Sequence, residues 1–412
     1  MTASSVLNSF SSLDSRQSTV DTDNAFQPAD IDVELSIIMP CLNESKTLPA
    51  CVAKAQQALC EHHINGEIIV ADNGSSDGSQ QVAELLGVRL VNIEQKGYGN
   101  VLMGGITAAQ GKYVVMGDAD DSYDFTQIPR FLEKLRQGFD LVIGNRFKGG
   151  IAAHAMPPLH RYLGNPALSW IGRLFFRCPS GDIYCGLRAF SRNAILKMDL
   201  RTTGMEFAIE MVVKATLMGF RVGEVPTTLS PDGRSGPPHL RTWLDGWRTL
   251  RLMLLYSPRW LFFYPGALLI MLGTAAGLWL LPGPRTVGSV TFDAHTLLYA
   301  AMAVLIGFQS SCFALFARTF AVSQGLVPRD ALLSKFFSTF TLEVGLAIGT
   351  LFIFGGMAGS IYAVNTWRVL GFGPLEFSST LRVVIPAATA MTLGFQIVLS
   401  SFLVSLLGLA RR

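Results

Sequence analysis

The sequence has no pattern that would hold a structural metal. Its six cysteines, Cys41, Cys51, Cys60, Cys178, Cys185 and Cys312, show no Cys-x-x-Cys spacing and no neighbouring histidine pair. They read as free thiols of a reducing compartment rather than zinc ligands or a disulfide framework. Charge is also scarce, at 15% of residues, and the net charge of +3 is too small to suggest a nucleic-acid partner. Residues 1–33 lack apolar periodicity and are rich in Ser, Asp and Thr, which predicts a disordered tail. They also lack the basic start and apolar core of a secretory signal, so the region that follows is expected in the cytoplasm. No internal repeat is visible in the half that follows the tail.

Long apolar runs are abundant, and they are confined to the C-terminal part. Trp260–Leu281, Leu297–Ala317, Phe340–Ala363 and Val383–Leu409 each suffice to cross a hydrocarbon core of about 30 Å, which takes about 20 helical residues. Four such runs in succession predict four transmembrane helices. Arg241, Arg248, Arg251 and Arg259 precede the first run, Arg318, Arg329 and Lys335 separate the second from the third, and Arg411 and Arg412 end the chain. The other two loops carry only Arg285 and Arg368, so both termini are expected in the cytoplasm. The predicted organisation is a tail (1–33), a globular domain (34–239), a juxtamembrane helix (240–259) and a four-helix membrane domain (260–412). In the juxtamembrane segment Leu240, Trp243, Leu244, Trp247 and Leu250 share one face, with Arg241, Asp245 and Arg248 opposite. Such a helix suits the membrane interface.

The globular part alternates short β-branched runs with helical patterns. Leu35–Met39, Ile68–Ala71, Arg89–Val91, Tyr113–Met116, Leu141–Ile143 and Arg221–Val225 read as strands. The intervening segments read as helices, which predicts an α/β fold with a mostly parallel sheet. Ligands of such sheets collect at the carboxyl ends of the strands. Polar motifs follow four strands in order: Pro40-Cys-Leu-Asn-Glu44, Asp72-Asn-Gly-Ser-Ser-Asp77, Lys96-Gly-Tyr-Gly99 and Asp118-Ala-Asp120. Each alone has an ordinary explanation as a cap or turn. Together they equip one sheet edge for a nucleotide. The two carboxylates of the last motif suit a hard divalent cation shared with phosphates.

These motifs, with Gly144-Asn-Arg146-Phe and Asp182-Ile-Tyr-Cys-Gly-Leu-Arg188, resemble glycosyltransferase family two and its GT-A fold. The chain is more closely similar to the polyprenyl-phosphate transferases of the dolichol-phosphate mannose synthase type, over about Leu35 to Arg241. The resemblance implies that Pro40, Leu42, Glu44 and Asp72 hold the base and ribose of a nucleotide sugar, with Lys96 and Ala119 beside it. It implies that Asp118 and Asp120 position Mg2+ or Mn2+ on the diphosphate. Arg146 and Arg161 match acceptor-phosphate arginines, and Arg234 falls in a basic loop that covers the donor phosphates. Ser122 stands where many relatives have Gln, and Asn73 where Asp is usual, which leaves the third metal ligand and the base open.

The implied reaction is inverting transfer of a hexose from a nucleotide sugar to a polyprenyl phosphate, such as undecaprenyl phosphate, at the cytoplasmic membrane face. Its product would be a lipid-linked sugar for envelope glycans or protein glycosylation. A phosphate monoester, with its second pKa near 6, is already mostly dianionic at pH 7, so it needs cationic positioning rather than a general base. Asp121, Asp124, Asp182, Glu206 and Glu210 are the carboxylates a base would require. Their ordinary roles are a capping turn for Asp121 and Asp124, a brace with Arg188 for Asp182, and a helix-face pair for the glutamates. A processive synthase would show Thr-Glu-Asp and Gln-x-x-Arg-Trp motifs, neither of which is present. A non-catalytic membrane scaffold is the remaining alternative, and the intact Asp118 and Asp120 speak against it. The sugar, UDP versus GDP, and the oligomeric state, a homo-oligomer included, are open at this point.

Overall fold

The computed structural model describes residues 33–233, 242–325, 327 and 339–409. Residues 1–32 of the tail, Arg234, Leu240 and the basic residues Arg241, Arg329, Lys335, Arg411 and Arg412 lie outside the described residues.

Alternation of apolar runs with amphipathic segments produces a seven-stranded sheet. Its strands are β1 (Leu35–Cys41), β2 (Gly66–Asp72), β3 (Arg89–Asn92), β4 (Tyr113–Met116), β5 (Leu141–Asn145), β6 (Arg188–Ser191) and β7 (Val222–Pro226), in the order β3-β2-β1-β4-β6-β5-β7. All neighbours pair in parallel except β6, which runs antiparallel to both β4 and β5. The mostly parallel sheet is as expected. The antiparallel β6 is the element the sequence did not announce. Around the sheet lie α1 (Leu48–Glu61), α2 (Ser79–Leu85), α3 (Tyr98–Ala108), α4 (Ile128–Arg136), the short α5 (Arg146–Gly149), α6 (Asn165–Phe176), α7 (Arg192–Met198) and α8 (Phe207–Leu217). Strands β1, β4 and β5 are buried along nearly their whole length, as strands covered on both faces must be.

The chain leaves the domain through α9 (Thr242–Tyr256). Asp245, Thr249 and Met253 face the protein, whereas Trp243, Leu244 and Trp247 are exposed. Four helices long and apolar enough to span a bilayer follow, at Arg259–Leu280, Ala294–Ser323, Leu342–Val369 and Phe377–Leu407. Their lengths of 22 to 31 residues cover the hydrocarbon thickness at 1.5 Å per residue. A small hairpin, β8 (Arg285–Val287) and β9 (Val290–Phe292), joins the first two spans.

Candidate active site

Strand order reverses on either side of β1: the chain runs from β1 outward to β2 and β3, then returns to β4 on the other side. Such a switch point opens a crevice at the strands' carboxyl ends. The motifs after β1 and β4 border it, with those after β2 and β3 alongside.

Asp72 is the organiser of its own loop. Its Oδ2 accepts from the backbone N–H groups of Gly74 (2.8 Å) and Ser75 (3.0 Å) and from Gln80 (2.6 Å), and its Oδ1 accepts from the Ser75 hydroxyl (2.5 Å). Burial opposes its ionisation, but these donors more than offset it and hold its pKa below the ordinary carboxylate value. Asn73 spends its amide on the neighbouring motif: Nδ2 donates to the carbonyls of Ile93 (2.8 Å) and Gln95 (3.0 Å), and Oδ1 accepts from Gly97 N–H (3.1 Å). An Asp there would leave both carbonyls without that donor. Lys96 donates to the Asn73 carbonyl, and both lysine and Asp72 border a cavity of about 150 Å³ with Gly74, Gln80 and Ile93. On the β1 side, Asn43 binds Ser76 N–H (2.8 Å) and Asp77 binds Ser45 N–H (2.9 Å), locking the β1 and β2 ends together. Glu44 is buried, Pro40 half-buried, and Leu42 lies at the surface.

Asp118 and Asp120 follow β4 at the crevice, with Ala119 buried between them. Asp118 Oδ1 accepts from the Tyr98 hydroxyl at 2.9 Å, and Asp120 Oδ1 accepts from the Ser122 hydroxyl at 2.6 Å and Ser122 N–H at 3.1 Å. Among the described residues no group of three His, Cys, Asp or Glu converges as a metal cage. Two carboxylates of this kind fit a hard cation that completes its shell with diphosphate oxygens and water, as Mg2+ does, rather than one held by protein alone. The backbone of Asp120 and Ser122 also accepts from Gly233 and Ser230 N–H, both at 2.9 Å. The segment leading to Arg234 is therefore anchored on this strand end, while Arg234 itself lies outside the described residues.

Arg146, at the end of β5, is buried at 7% exposure and forms a two-pronged ion pair with fully buried Asp182, through Nε (2.7 Å) and Nη2 (2.8 Å). Burial opposes its charge, but Tyr123 and Asp182 more than offset that and raise its pKa. The brace expected between Asp182 and Arg188 does not form. Arg188 instead donates to the carbonyls of Cys185 (2.7 Å), Ile183 (2.6 Å) and Ala208, satisfying a buried turn. Asp121 is likewise no capping residue, since it pairs with Lys54 at 2.7 Å, whereas Asp124 does cap a turn through Thr126 N–H at 3.0 Å. Glu210, expected to form a helix-face pair with Glu206, is fully buried and pairs with Lys214 instead.

Tyr123 supports one end of the site. Its buried hydroxyl accepts from Gly186 N–H (2.8 Å), and a Cβ on Gly186 would lie 3.1 Å from the Tyr123 ring and 2.7 Å from Asp118 Oδ2, so the tyrosine packs beside the acidic strand end. The Arg146 charge also reaches His160 and lowers its pKa, second to burial. Arg161 follows His160 and borders a cavity of about 310 Å³ with His154, Met156, Pro157, Pro158 and Tyr162. Tyr98 and Tyr123 escaped the sequence reading because a tyrosine beside an acidic motif has no distinctive spacing. The fold alone brings them to it.

Comparison with known proteins places this geometry. Residues 36–198 match the model of glycosyl transferase family 2, and residues 315–408 match the glycosyltransferase family 2 C-terminal transmembrane region. The low-salt glycan biosynthesis hexosyltransferase Agl6 of Haloferax volcanii is 35% identical over 383 residues, covering 92% of this chain and 90% of that protein. The dolichyl-phosphate hexose transferase of the same organism is 27% identical over 194 residues, covering 47% of this chain and 81% of that protein. The glucosyl-3-phosphoglycerate synthase of Mycobacterium tuberculosis, solved with Mn2+, UDP and glucosyl-3-phosphoglycerate, aligns with a TM-score of 0.44 at 20% identity, over 57% of this chain and 85% of that one. With a GT-A domain carrying an acidic pair at its switch point and four membrane helices behind it, the chain belongs to glycosyltransferase family 2 as an integral membrane member.

Proposed function

We propose that the protein transfers a hexose from a nucleotide sugar to the phosphate of a polyprenyl phosphate at the cytoplasmic face of the membrane. One observation carries this reading: in the Asp182–Arg188 segment Asp182 holds Arg146, and four residues on, a Cβ at Gly186 would lie 2.7 Å from the Asp118 carboxylate, so one loop packs against both the acidic strand end and the cationic site. A donor site and an anion site thus adjoin in a domain continuous with four membrane helices. The names of the two Haloferax relatives, a glycan hexosyltransferase and a dolichyl-phosphate hexose transferase, support the reaction class and the acceptor.

In this account the loops organised by Asp72, Asn73 and Glu44 receive the nucleoside between Pro40, Leu42 and Lys96. Asp118 and Asp120 would hold Mg2+ or Mn2+, and a bound cation would supply Lewis-acid stabilisation of the departing nucleoside diphosphate. Tyr98 and Ser122 fix the two carboxylates by hydrogen bonds. Arg161 and Arg146 attract the acceptor phosphate. Asp182 fixes the Arg146 fork, so the more exposed-lying Arg161 carries the larger share of phosphate contact. Among the candidate bases, Asp121 and Glu210 are committed to lysines and Asp182 to Arg146, which suits an acceptor that arrives already ionised. The exposed Trp243, Leu244 and Trp247 of α9 rest in the interface and hold the domain against the lipid.

Membranes containing the protein, given labelled UDP- and GDP-hexoses with polyprenyl phosphate, should move label into the organic phase. Asp120→Asn should lower that transfer by several orders of magnitude, since an amide is a weaker ligand for a hard cation. Transfer at the wild-type rate by this variant, or in excess chelator, removes the metal from the mechanism.

A further inference from the structure

Glu210 of α8 is fully buried, and its carboxylate gathers groups from parts of the chain far apart in function. Its Oε2 accepts from Arg201 N–H (2.9 Å), Thr202 N–H (2.8 Å) and the Thr202 hydroxyl (2.7 Å). Its Oε1 accepts from the Tyr256 hydroxyl (2.9 Å) and pairs with Lys214 (2.9 Å), whose ammonium also donates to the Asp199 carbonyl (2.5 Å). Burial alone would favour the neutral acid, but Lys214 and Thr202 more than offset it and keep the carboxylate ionised.

The two ends of this cluster matter. Residues 199–204 form the loop that backs the Lys96-Gly-Tyr-Gly99 motif. Thr203 carbonyl accepts from Gly99 N–H at 2.9 Å, and a side chain on either Gly97 or Gly99 would collide with the Thr202 and Thr203 carbonyls. Tyr98, between those glycines, holds Asp118. At the other end, Tyr256 is the last residue of α9, three residues before the first membrane span begins at Arg259. The same α9 exposes its tryptophans on the opposite side.

We infer that Glu210 and Tyr256 are positioning residues for the donor: they connect the membrane-entry helix to the loop that seats the Lys96–Gly99 motif. This rests on the reading of that motif as part of the nucleotide-sugar site. A carboxylate that merely neutralised Lys214 would need no bond to Tyr256 or to the 201–202 backbone. Here it joins a loop packed on the donor motif to the helix on which the protein enters the bilayer. Seating of α9 in the lipid and closure of the donor site thus become one event, and the enzyme is best ordered for nucleotide sugar where its lipid acceptor resides.

The test is Tyr256→Phe in the full-length protein reconstituted in lipid nanodiscs, because Phe keeps the ring packed and removes only the hydroxyl. Amide hydrogen exchange without any ligand should rise across 201–203 and 97–99, with the sheet strands unchanged. The KM for nucleotide sugar should rise about three- to tenfold, as only part of the lost hydrogen bond's effect reaches the donor motif through the 201–203 loop, while the KM for lipid phosphate stays within about twofold. Glu210→Gln should move both readouts in the same direction. Unchanged exchange at 97–99 in Tyr256→Phe overturns the connection, and raised exchange with an unchanged donor KM overturns its role in donor positioning. If the wild type turns over no nucleotide sugar, the donor reading fails instead, and the exchange measurement still decides whether the connection exists.

Discussion

Arg146 and Asp182 show how a residue's role depends on partners that sequence does not display. Removing Asp182 would leave a guanidinium buried without its counter-charge, so Asp182→Ala should lower stability by about 3–5 kcal/mol, measured by pulse proteolysis of the globular domain. A loss below about 1 kcal/mol would mean that water or another group already solvates Arg146. Asp77 offers a pH test. Partial burial opposes its ionisation, yet bonds from Ser79 and Ser45 lower its pKa to about 2, below the ordinary value for an unfolded chain. A carboxylate depressed in the folded state contributes stability above the unfolded pKa and loses it as pH falls through the folded one. Melting temperature should therefore decline between about pH 4 and pH 2 less steeply in Asp77→Asn than in the wild type. The strand-end residues Asp72, Asp118 and Asp120 were legible because short polar motifs directly followed apolar runs. Their supporters Tyr98, Gln80 and Tyr123 were not, because hydrogen bonds across the fold leave no periodic trace.

Elements were legible in proportion to their regularity. The parallel strands and all four spans announce themselves by continuous apolar runs. Strand β6 did not, because it is four residues long and begins with Arg188, whose charge argues against a buried strand until its three carbonyl partners are seen. The hairpin β8–β9 is too short for its alternation to stand out. Between membrane helices, glycine sets the approach. A Cβ on Gly307 would lie 2.5 Å from the Gly266 carbonyl oxygen, and one on Gly266 would lie 2.7 Å from that of Gly307. Lipid offers no hydrophobic drive for helix association, so this close packing has to supply it. Gly307→Leu should separate the first two spans and lower the thermal stability of the detergent-solubilised protein, whereas leucine at Gly355, which has open space around it, should be neutral. Equal effects at both positions would argue against close packing as the cause.

At the scale of the whole molecule, we propose, from the four candidate spans among the described residues and the arginines of the sequence between them, that both ends of the membrane domain lie on the side of the catalytic domain. A reporter fused after Arg412 should be active only in the cytoplasm, and activity outside would require a different number of crossings. On that proposal the exposed tryptophans of α9 would lie at the lipid surface, where the proposed acceptor would present its head group. The central claim is that phosphate, already ionised, is the nucleophile. Purified protein in nanodiscs should be given labelled nucleotide sugar with either a polyprenyl phosphate or the corresponding polyprenol, and the labelled lipid product should be quantified. The account predicts label on the phosphate alone, with the acid limb of the rate following phosphate ionisation near pH 6. Efficient labelling of the polyprenol would contradict it, because a hydroxyl acceptor needs the general base that this mechanism leaves out.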